Sequence, residues 1–356
     1  MNAAELSRLV HEVNALERQS FDGLDLTAAD LGGGMFSECS FRGADLRGAR
    51  LSESTFVDAD FSGAKLDGAT ARHTMFYRAK AEGVSLASAN LATCKFIDCD
   101  LREANLREAN ATAAHVSNTP LDRAIFAGAK LERATILSST LDGTDLSSAD
   151  LTKTTLFQAD LRTARFMGAN MQNTILVESK LAGQSFRGMD LTLTQFTDSD
   201  CEGVDFEGAT LVKVNFKGAN LARASLAGAE AKNAIFPFVK LAGAVLRDAN
   251  LYQAIFMEVH APEVDASGAN LEMSIWHRAQ CTGARFNGAN LTFADFSWAD
   301  LTAADFSGAN MTRARLHRSV KKDTVFPLGK LAAYGDDALL VEAETWWEKH
   351  RRPIED

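Results

Sequence analysis

The chain of 356 residues contains no apolar run approaching the roughly 20 residues that a membrane-spanning helix needs. Its first residues, Met1-Asn2-Ala3-Ala4-Glu5-Leu6, show no basic segment leading into an apolar one, so neither a membrane span nor a secretory leader is expected. Cysteine is scarce and odd in number: Cys39, Cys94, Cys99, Cys201 and Cys281. Such a set argues against a disulfide framework and for small core residues in a reducing, cytoplasmic setting. The seven histidines are scattered and form no HExxH or Cys/His zinc spacing, so no metal and no cofactor is expected. Positive charge is in deficit, with 37 Lys and Arg against 47 Asp and Glu for a net charge of −10, which disfavours nucleic acid as a direct ligand.

What the chain does have is a period. Every fifth residue from Phe21 to Leu316 is apolar, sixty positions in register without insertion or deletion. Taking this position as i, position i−2 is nearly always small, as at Ala44, Ala49, Ala104 and Ala289, and i−1 is often Asp or Asn, as at Asp45, Asp60, Asn105 and Asn290. A period of five drifts around a helix and swaps faces along a strand, so each unit must contain its own turn. Twenty-one of the 25 glycines sit at i+2, where a corner calls for positive φ. A longer period of 20 aligns Phe36, Phe56, Phe76 and Phe96, and again Phe196, Phe216, Phe236, Phe256, Trp276 and Phe296. Four units therefore make one coil, and sixty make 15 coils. At a ladder spacing of roughly 4.8 Å the expected solenoid is about 70 Å long, each coil touching only its neighbours. Val84, Gln184, Met189, Val204, Val214, Val239, Val259 and Val264 replace the small residue at i−2, some opposite reduced centres at Ala81, Cys201, Ala261 and Ala266. Local widening without a break is expected there.

Runs such as Ala44-Asp45-Leu46-Arg47-Gly48, Ala289-Asn290-Leu291 and Ala309-Asn310-Met311 resemble the A(D/N)LXX unit of the pentapeptide-repeat family, over about 300 of the 356 residues. The resemblance implies an all-β solenoid, specifically a right-handed quadrilateral β-helix. It also brings two functional classes into view: topoisomerase-binding DNA mimics that protect gyrase from toxins or quinolone-like drugs, and accessories or adaptors of bacterial secretion systems. Charge density speaks against the first. Duplex DNA carries one charge per roughly 1.7 Å, or about 40 over such a length. The repeat region carries −7 of the −10, residues 1–20 holding −1 and residues 321–356 holding −2.

The ends need caps, because open solenoid edges invite stacking. The expected organisation is an N-terminal capping helix in 1–20, the repeat body in 21–320 and a C-terminal helical cap in 321–356. Residues 3–19 read as an amphipathic helix with Leu6, Leu9, Val10, Val13 and Leu16 on one side. The repeat fails at Lys321 and recovers one apolar position at Phe326. A second helix is expected from about Asp337 to His350, with Asp336 as N-cap and Leu339, Leu340, Ala343, Trp346 and Trp347 as its apolar content. Neighbouring tryptophans point about 100° apart. One ring is therefore expected to cover the last coil near Met311 and Leu316, and the other to meet a second copy, giving a homodimer through this helix.

No catalytic constellation emerges, and no enzyme is expected. Ser62-Gly63-Ala64-Lys65 matches Ser-x-x-Lys only because the repeat places those residues there, and sequons such as Asn290-Leu291-Thr292 arise the same way. Gly32-Gly33-Gly34 is followed by no helix and reads as a loosened first coil, not a phosphate loop. The column Asn90, Asn110, Asp150, Asn170, Asp190, Asn250, Asn270, Asn290 and Asn310 reads as a stacked amide ladder rather than a ligand row. One asymmetry remains on the outward positions. Three columns are polar or small, whereas the column with the Phe stack inside is apolar outside as well. Its clusters are Val57, Tyr77 and Ile97; then Leu137, Phe157, Ile175 and Val177; then Ile235, Phe238, Ile255, Met257 and Ile275. Polar coils at His115/Ser117, Gln195/Thr197 and Asn215/Lys217 separate them. These residues either suit a pleated surface or form a partner-binding face, and the leading expectation is a non-enzymatic interaction or scaffold protein.

Overall fold

The computed structural model of the protein describes residues 1–13, 15–328 and 333–350, the side chains of 347–350 excepted. It is a parallel β-solenoid with a short helix at each end, divided into two compact units, Met1–Cys201 and Glu202–Asp356.

The first unit opens with α1 (Ala3–Val13), started by reciprocal bonds in which Glu5 N–H donates to Asn2 Oδ1 and Asn2 N–H donates to Glu5 Oε2. Leu6 and Val10 are buried, and the Ser7 hydroxyl accepts the Asp30 N–H at 2.8 Å. Val10 explains the third glycine of the Gly32–Gly34 run. A Cβ on Gly34 would stand 2.8 Å from Val10 Cγ1 and from the Phe36 ring. The first coil is therefore not loosened as expected; Gly34 N–H closes its corner onto Leu31 O at 3.1 Å, and the missing side chain makes room for the helix. The helix expected over 3–19 stops at Val13, because Ala15–Glu17 (β1) is already a rung of the solenoid. Leu16 pairs with Phe36, one step before the first apolar position recognised in the repeat.

Eight further strands follow at 20-residue steps: β2 (Met35–Ser37), β3 (Thr55–Val57), β4 (Met75–Tyr77), β5 (Lys95–Ile97), β6 (His115–Ser117), β7 (Thr135–Leu137), β8 (Thr155–Phe157) and β9 (Ile175–Val177). They form one parallel sheet in chain order. The stranded solenoid thus has about eight turns where the repeat count had predicted 15 coils. Elsewhere the same 20-residue pairing is carried by single bridges, such as Asp45↔Lys65 in the first unit and Ile235↔Ile255 in the second.

The difference lies at one corner. After β5, β6, β8 and β9 the N–H three residues after the core position goes to a hydroxyl of the following coil: Cys99 N–H to Thr119 Oγ1 (3.2 Å), Thr119 N–H to Ser139 Oγ (3.2 Å), Ala159 N–H to Ser179 Oγ (3.3 Å) and Ser179 N–H to Ser199 Oγ (3.1 Å). From Phe196 the equivalent N–H turns back across the corner instead, Ser199 onto Phe196 O at 3.2 Å. In the second unit Ala219 does so onto Phe216 O at 2.8 Å and Ala279 onto Trp276 O at 3.1 Å. A corner closed this way is a tight turn, and the backbone before it pairs through one residue instead of three.

The core is a set of ladders. In the first unit Phe36, Phe56, Phe76 and Phe96 stack with centroids 4.8–5.2 Å apart, and Phe41 and Phe61 meet them edge-on. In the second unit Phe236 stacks on Phe256 at 4.6 Å and Phe256 on Trp276 at 4.0 Å. The i−1 carboxylates and amides accept an N–H two residues on, as Asn290 Oδ1 does from Thr292, so the apparent sequon is a corner device. The amides also stack: Asn270 donates to Asn250 at 3.1 Å and Asn290 to Asn270 at 3.2 Å. At the i−2 departures the six valines are buried, whereas Gln184 and Met189 are only half-buried. Gln184 Nε2 donates to the carbonyls of Leu161 and Ala164 at 2.6 and 2.9 Å. Ala81 stands between Phe61 and Leu101 in its column and leaves an apolar void of about 10 Å³ that Val84 also lines.

At the end of the second unit Phe326 stacks on Phe306, and Tyr334 pairs with Arg315 to extend the last coil. Helix α2 (Ala338–His350) follows. Its N-cap is Asp337, whose Oδ1 accepts the N–H groups of Leu339 and Leu340 at 3.0 and 3.1 Å. Asp336, the expected cap, accepts the Arg318 N–H at 2.7 Å instead.

Candidate functional site

The parallel register sets Val57, Tyr77, Ile97, Ser117, Leu137, Phe157 and Val177 in one row on the outside of the first-unit sheet. Ile175 lies in the other outward row, beside Thr155. All six apolar members of the first row, and Ile175, are half-buried. Ser117 interrupts the row as expected, while Arg78 stacks over Tyr77 at 4.3 Å and pairs with Asp58. Much of this row is therefore taken up by its own strand neighbours, as a pleated surface requires.

The second unit is different. Ile235, Ile255 and Ile275 are bridged in sequence, with Met257 outward beside Ile255. Exposure on this face is 51% at Phe238, 37% at Met257 and 40% at Ile275. The structure adds three residues that the outward-position reading missed. Met273 (39% exposed), Phe293 (43%) and Trp298 (38%) occupy corner positions flanking the same face. Their φ values are 58°, 59° and 65°, and that of Phe238 is 61°. Large L-residues are strained in this left-handed region, by roughly 1–2 kcal/mol each. A bulky side chain at i+2, where glycine is the unstrained choice, was the available signal.

Helix α2 lies over the last levels of this face. Ser297 and His317 occupy outward positions yet are 9% and 5% exposed. His317 Nδ1 accepts the Asp337 N–H at 3.2 Å, so Nε2 carries the proton and donates to Glu344 at 3.3 Å. Arg318 also reaches Glu344 at 3.3 Å, and its guanidinium stands 5.7 Å from the Trp298 ring centre. Leu316 N–H bonds to Tyr334 O at 2.8 Å, which carries the backbone ladder over the last coil. Leu339, Leu340 and Trp346 are 79%, 46% and 59% exposed, and Ala343 is exposed. The Trp347 side chain lies outside the described residues.

All five cysteines are buried and free. Burial pushes the Cys99 thiol up to about 11 and those of Cys94, Cys201 and Cys281 higher still, away from any nucleophilic role. Among the described residues no group of three or more His, Cys, Asp or Glu is placed to hold a metal, and no helix is long and apolar enough to cross a membrane.

No curated protein matches the chain. Among solved structures it is similar to HetL, a pentapeptide repeat protein involved in heterocyst differentiation regulation from the cyanobacterium Nostoc sp. strain PCC 7120. The two share 25% identity over 78% of this chain and 96% of that one, with a TM-score of 0.26. It is also similar to trypsin-treated QnrB1, a plasmid-mediated fluoroquinolone resistance protein, at 21% identity over 51% of this chain and 87% of that one, with a TM-score of 0.34. A pentapeptide repeat protein of the Arabidopsis thaliana thylakoid lumen matches at 27% identity over 37% and 67%, with a TM-score of 0.17. The profiles of pentapeptide repeats match residues 36–80, 89–236, 238–272 and 279–318. With the repeat matched over most of its length, the chain belongs to the pentapeptide-repeat family.

Proposed function

We propose that this protein is a non-enzymatic interaction scaffold that presents apolar outward columns to a protein partner. The observation that carries this reading is the exposed apolar face of the second unit, with strained corner positions carrying Phe238, Met273, Phe293 and Trp298. Solvated side chains of this size, grouped on one face, exceed what strand pairing needs. The row from Val57 to Val177 is a further candidate contact surface. We also propose a cytoplasmic setting, and a homodimer contact through the exposed Leu339, Leu340 and Trp346 of α2. Gyrase protection by DNA mimicry is the second functional reading. The repeat region's −7 is far below the charge of a matching duplex length, which favours the scaffold reading over it. A secretion-system accessory is the third.

The test is photo-crosslinking in the native cell. A photoreactive residue at Tyr77 or Ile275 should capture a discrete partner that the same residue at Asn90 on a polar column does not, with mass spectrometry identifying gyrase subunits, secretion components or neither. Equal capture from all three positions, or an enzymatic activity abolished by one point substitution, would sink the scaffold reading.

A further inference from the structure

The apolar strip on the second unit has a chemistry that narrows its occupant. Its exposed members, Phe238, Met257, Met273, Ile275, Phe293 and Trp298, span levels 235 to 298. Within these levels the outward and corner positions carry Arg278 with Glu258 and Asp295, and the cations gather at the two ends of the strip, Lys213 and Lys217 at one and Arg313, Arg315 and Arg318 at the other. In a chain of net charge −10 the three arginines at the C-terminal end are a local reversal of sign. Arg313 lies over Phe293 at 5.4 Å and Arg278 reaches Glu258 at 3.9 Å, so these cations stand among the apolar side chains. One occupant of the face is already visible. Helix α2 sits at its C-terminal end through Glu344, held by His317 and Arg318 beside Trp298. The contact consists of a carboxylate-bearing helix on a basic and aromatic surface, and the strip continues directly from it.

We propose that the strip is a docking site for an acidic amphipathic helix of a partner protein, seated in line with α2 on the same face. Three inter-coil steps of about 4.8 Å give a strip of about 14 Å, the length of roughly ten helical residues. The apolar side of the incoming helix covers Met257, Met273 and Ile275, and its carboxylates face Arg278 and Arg313. This proposal rests on the scaffold reading and names the kind of partner.

The probe is a labelled synthetic peptide with the sequence of residues 336–350, the one helix this face is seen to accept, added to the full chain and followed by fluorescence anisotropy. Saturable binding is expected that weakens with salt. It should fall at least about tenfold for the Met257→Glu/Ile275→Glu chain, for the Arg278→Glu/Arg313→Glu chain, and for a peptide carrying Glu342→Lys, Glu344→Lys and Glu348→Lys. Replacement of Met273 by a photoreactive residue should crosslink the peptide to an otherwise intact face, independently of how the charged variants fold. Four results would overturn the proposal. They are no saturable binding up to about 1 mM, binding indifferent to the strip substitutions (the peptide then merely takes α2's seat), equal binding of the lysine peptide, and self-association abolished by Met257→Glu/Ile275→Glu, which would assign the strip to a second copy. Failure here alongside a partner still captured in cells from Tyr77 removes the helix and keeps the scaffold, whereas loss of both removes both.

Discussion

At the scale of single residues, the repeat tolerates polar atoms in its core only where a neighbour answers them. Trp276 is wholly buried within the aromatic ladder, and its indole N–H donates to Ser274 Oγ at 3.0 Å. The same hydroxyl donates to Leu271 O at 2.7 Å. Ser274→Ala would leave the indole N–H without its acceptor in a dry core, at a cost of about 1–3 kcal/mol. Trp276→Phe in the same background should recover part of that loss, because it removes the orphaned group. Thermal unfolding of the two single variants and the double variant checks the coupling, and additive losses would contradict it. The corner residues are a second case. The repeat requires a left-handed φ at i+2 whether or not glycine is present, and Ala28 (φ 57°) and Glu103 (φ 58°) adopt it as Gly33 does. The backbone is therefore dictated by coil closure, and the side chain at the corner is left to serve other ends.

At the scale of elements, the fold class was legible because the five-residue register is uninterrupted and the pattern of small, polar and apolar residues has a single physical solution. What was not legible was set by interactions the period does not encode. Nothing in the apolar spacing separates Val13, which ends α1, from Leu16, which fits both a helix stripe and the first rung beneath Phe36. Asp336 and Asp337 are equally good caps by composition, and the choice is made by the demand of the Arg318 N–H for one of them. The strand-to-bridge change was hidden for a similar reason. Thr119, Ser139, Ser179 and Ser199 read as small residues at i−2, yet their hydroxyls accept the N–H groups at the corners after β5, β6, β8 and β9. Ser179 accepts the Ala159 N–H and itself donates to Val177 O at 3.2 Å. Ser179→Ala should destabilise the first unit by about 1–3 kcal/mol, since the Ala159 N–H is buried. Hydrogen exchange should show faster exchange at Ala159 and neighbouring β8 and β9, with the second unit's Phe256 ladder unaffected. Unchanged protection at Ala159 would show that this hydroxyl column does not hold the corner. The candidate face was half legible: its Ile and Met stand at outward positions, but Met273, Phe293 and Trp298 lie at corners, where the repeat directs attention to glycine.

At the scale of the whole molecule, carboxylate pairing sets the response to acid. Its bond to the Arg47 guanidinium holds Asp45 at about 2, and the guanidinium groups of Arg102 and Arg162 likewise hold Asp100 and Asp160 below the usual carboxylate range. Hydroxyl and backbone N–H donors from Thr302 do the same for Asp300. A folded value below the unfolded one contributes stability that is present above about pH 4 and is lost as the pH falls through the folded value. Melting temperature at fixed ionic strength should therefore hold at neutral pH and fall between about pH 4 and 2. A flat profile across that window would mean that the paired carboxylates do not contribute. The proposed homodimer through α2 is the second question at this scale. Glu344 and Thr345 face Arg318, which leaves Leu339 at 79% and Trp346 at 59% exposure on a helix whose other side is already engaged. Two such helices meeting about a twofold axis would each cover the other's apolar edge, the arrangement that a self-complementary surface favours. Light scattering is expected to report a dimer for the intact chain and a monomer for Leu339→Glu/Trp346→Glu, with the Met257→Glu/Ile275→Glu chain still dimeric. These positions are exposed, so the substitutions alter the surface and leave the solenoid intact. A monomer at every concentration for the unmodified chain would make α2 only a terminal cover for His317 and the last coils. A dimer that survives Leu339→Glu/Trp346→Glu would place the contact elsewhere on the solenoid surface.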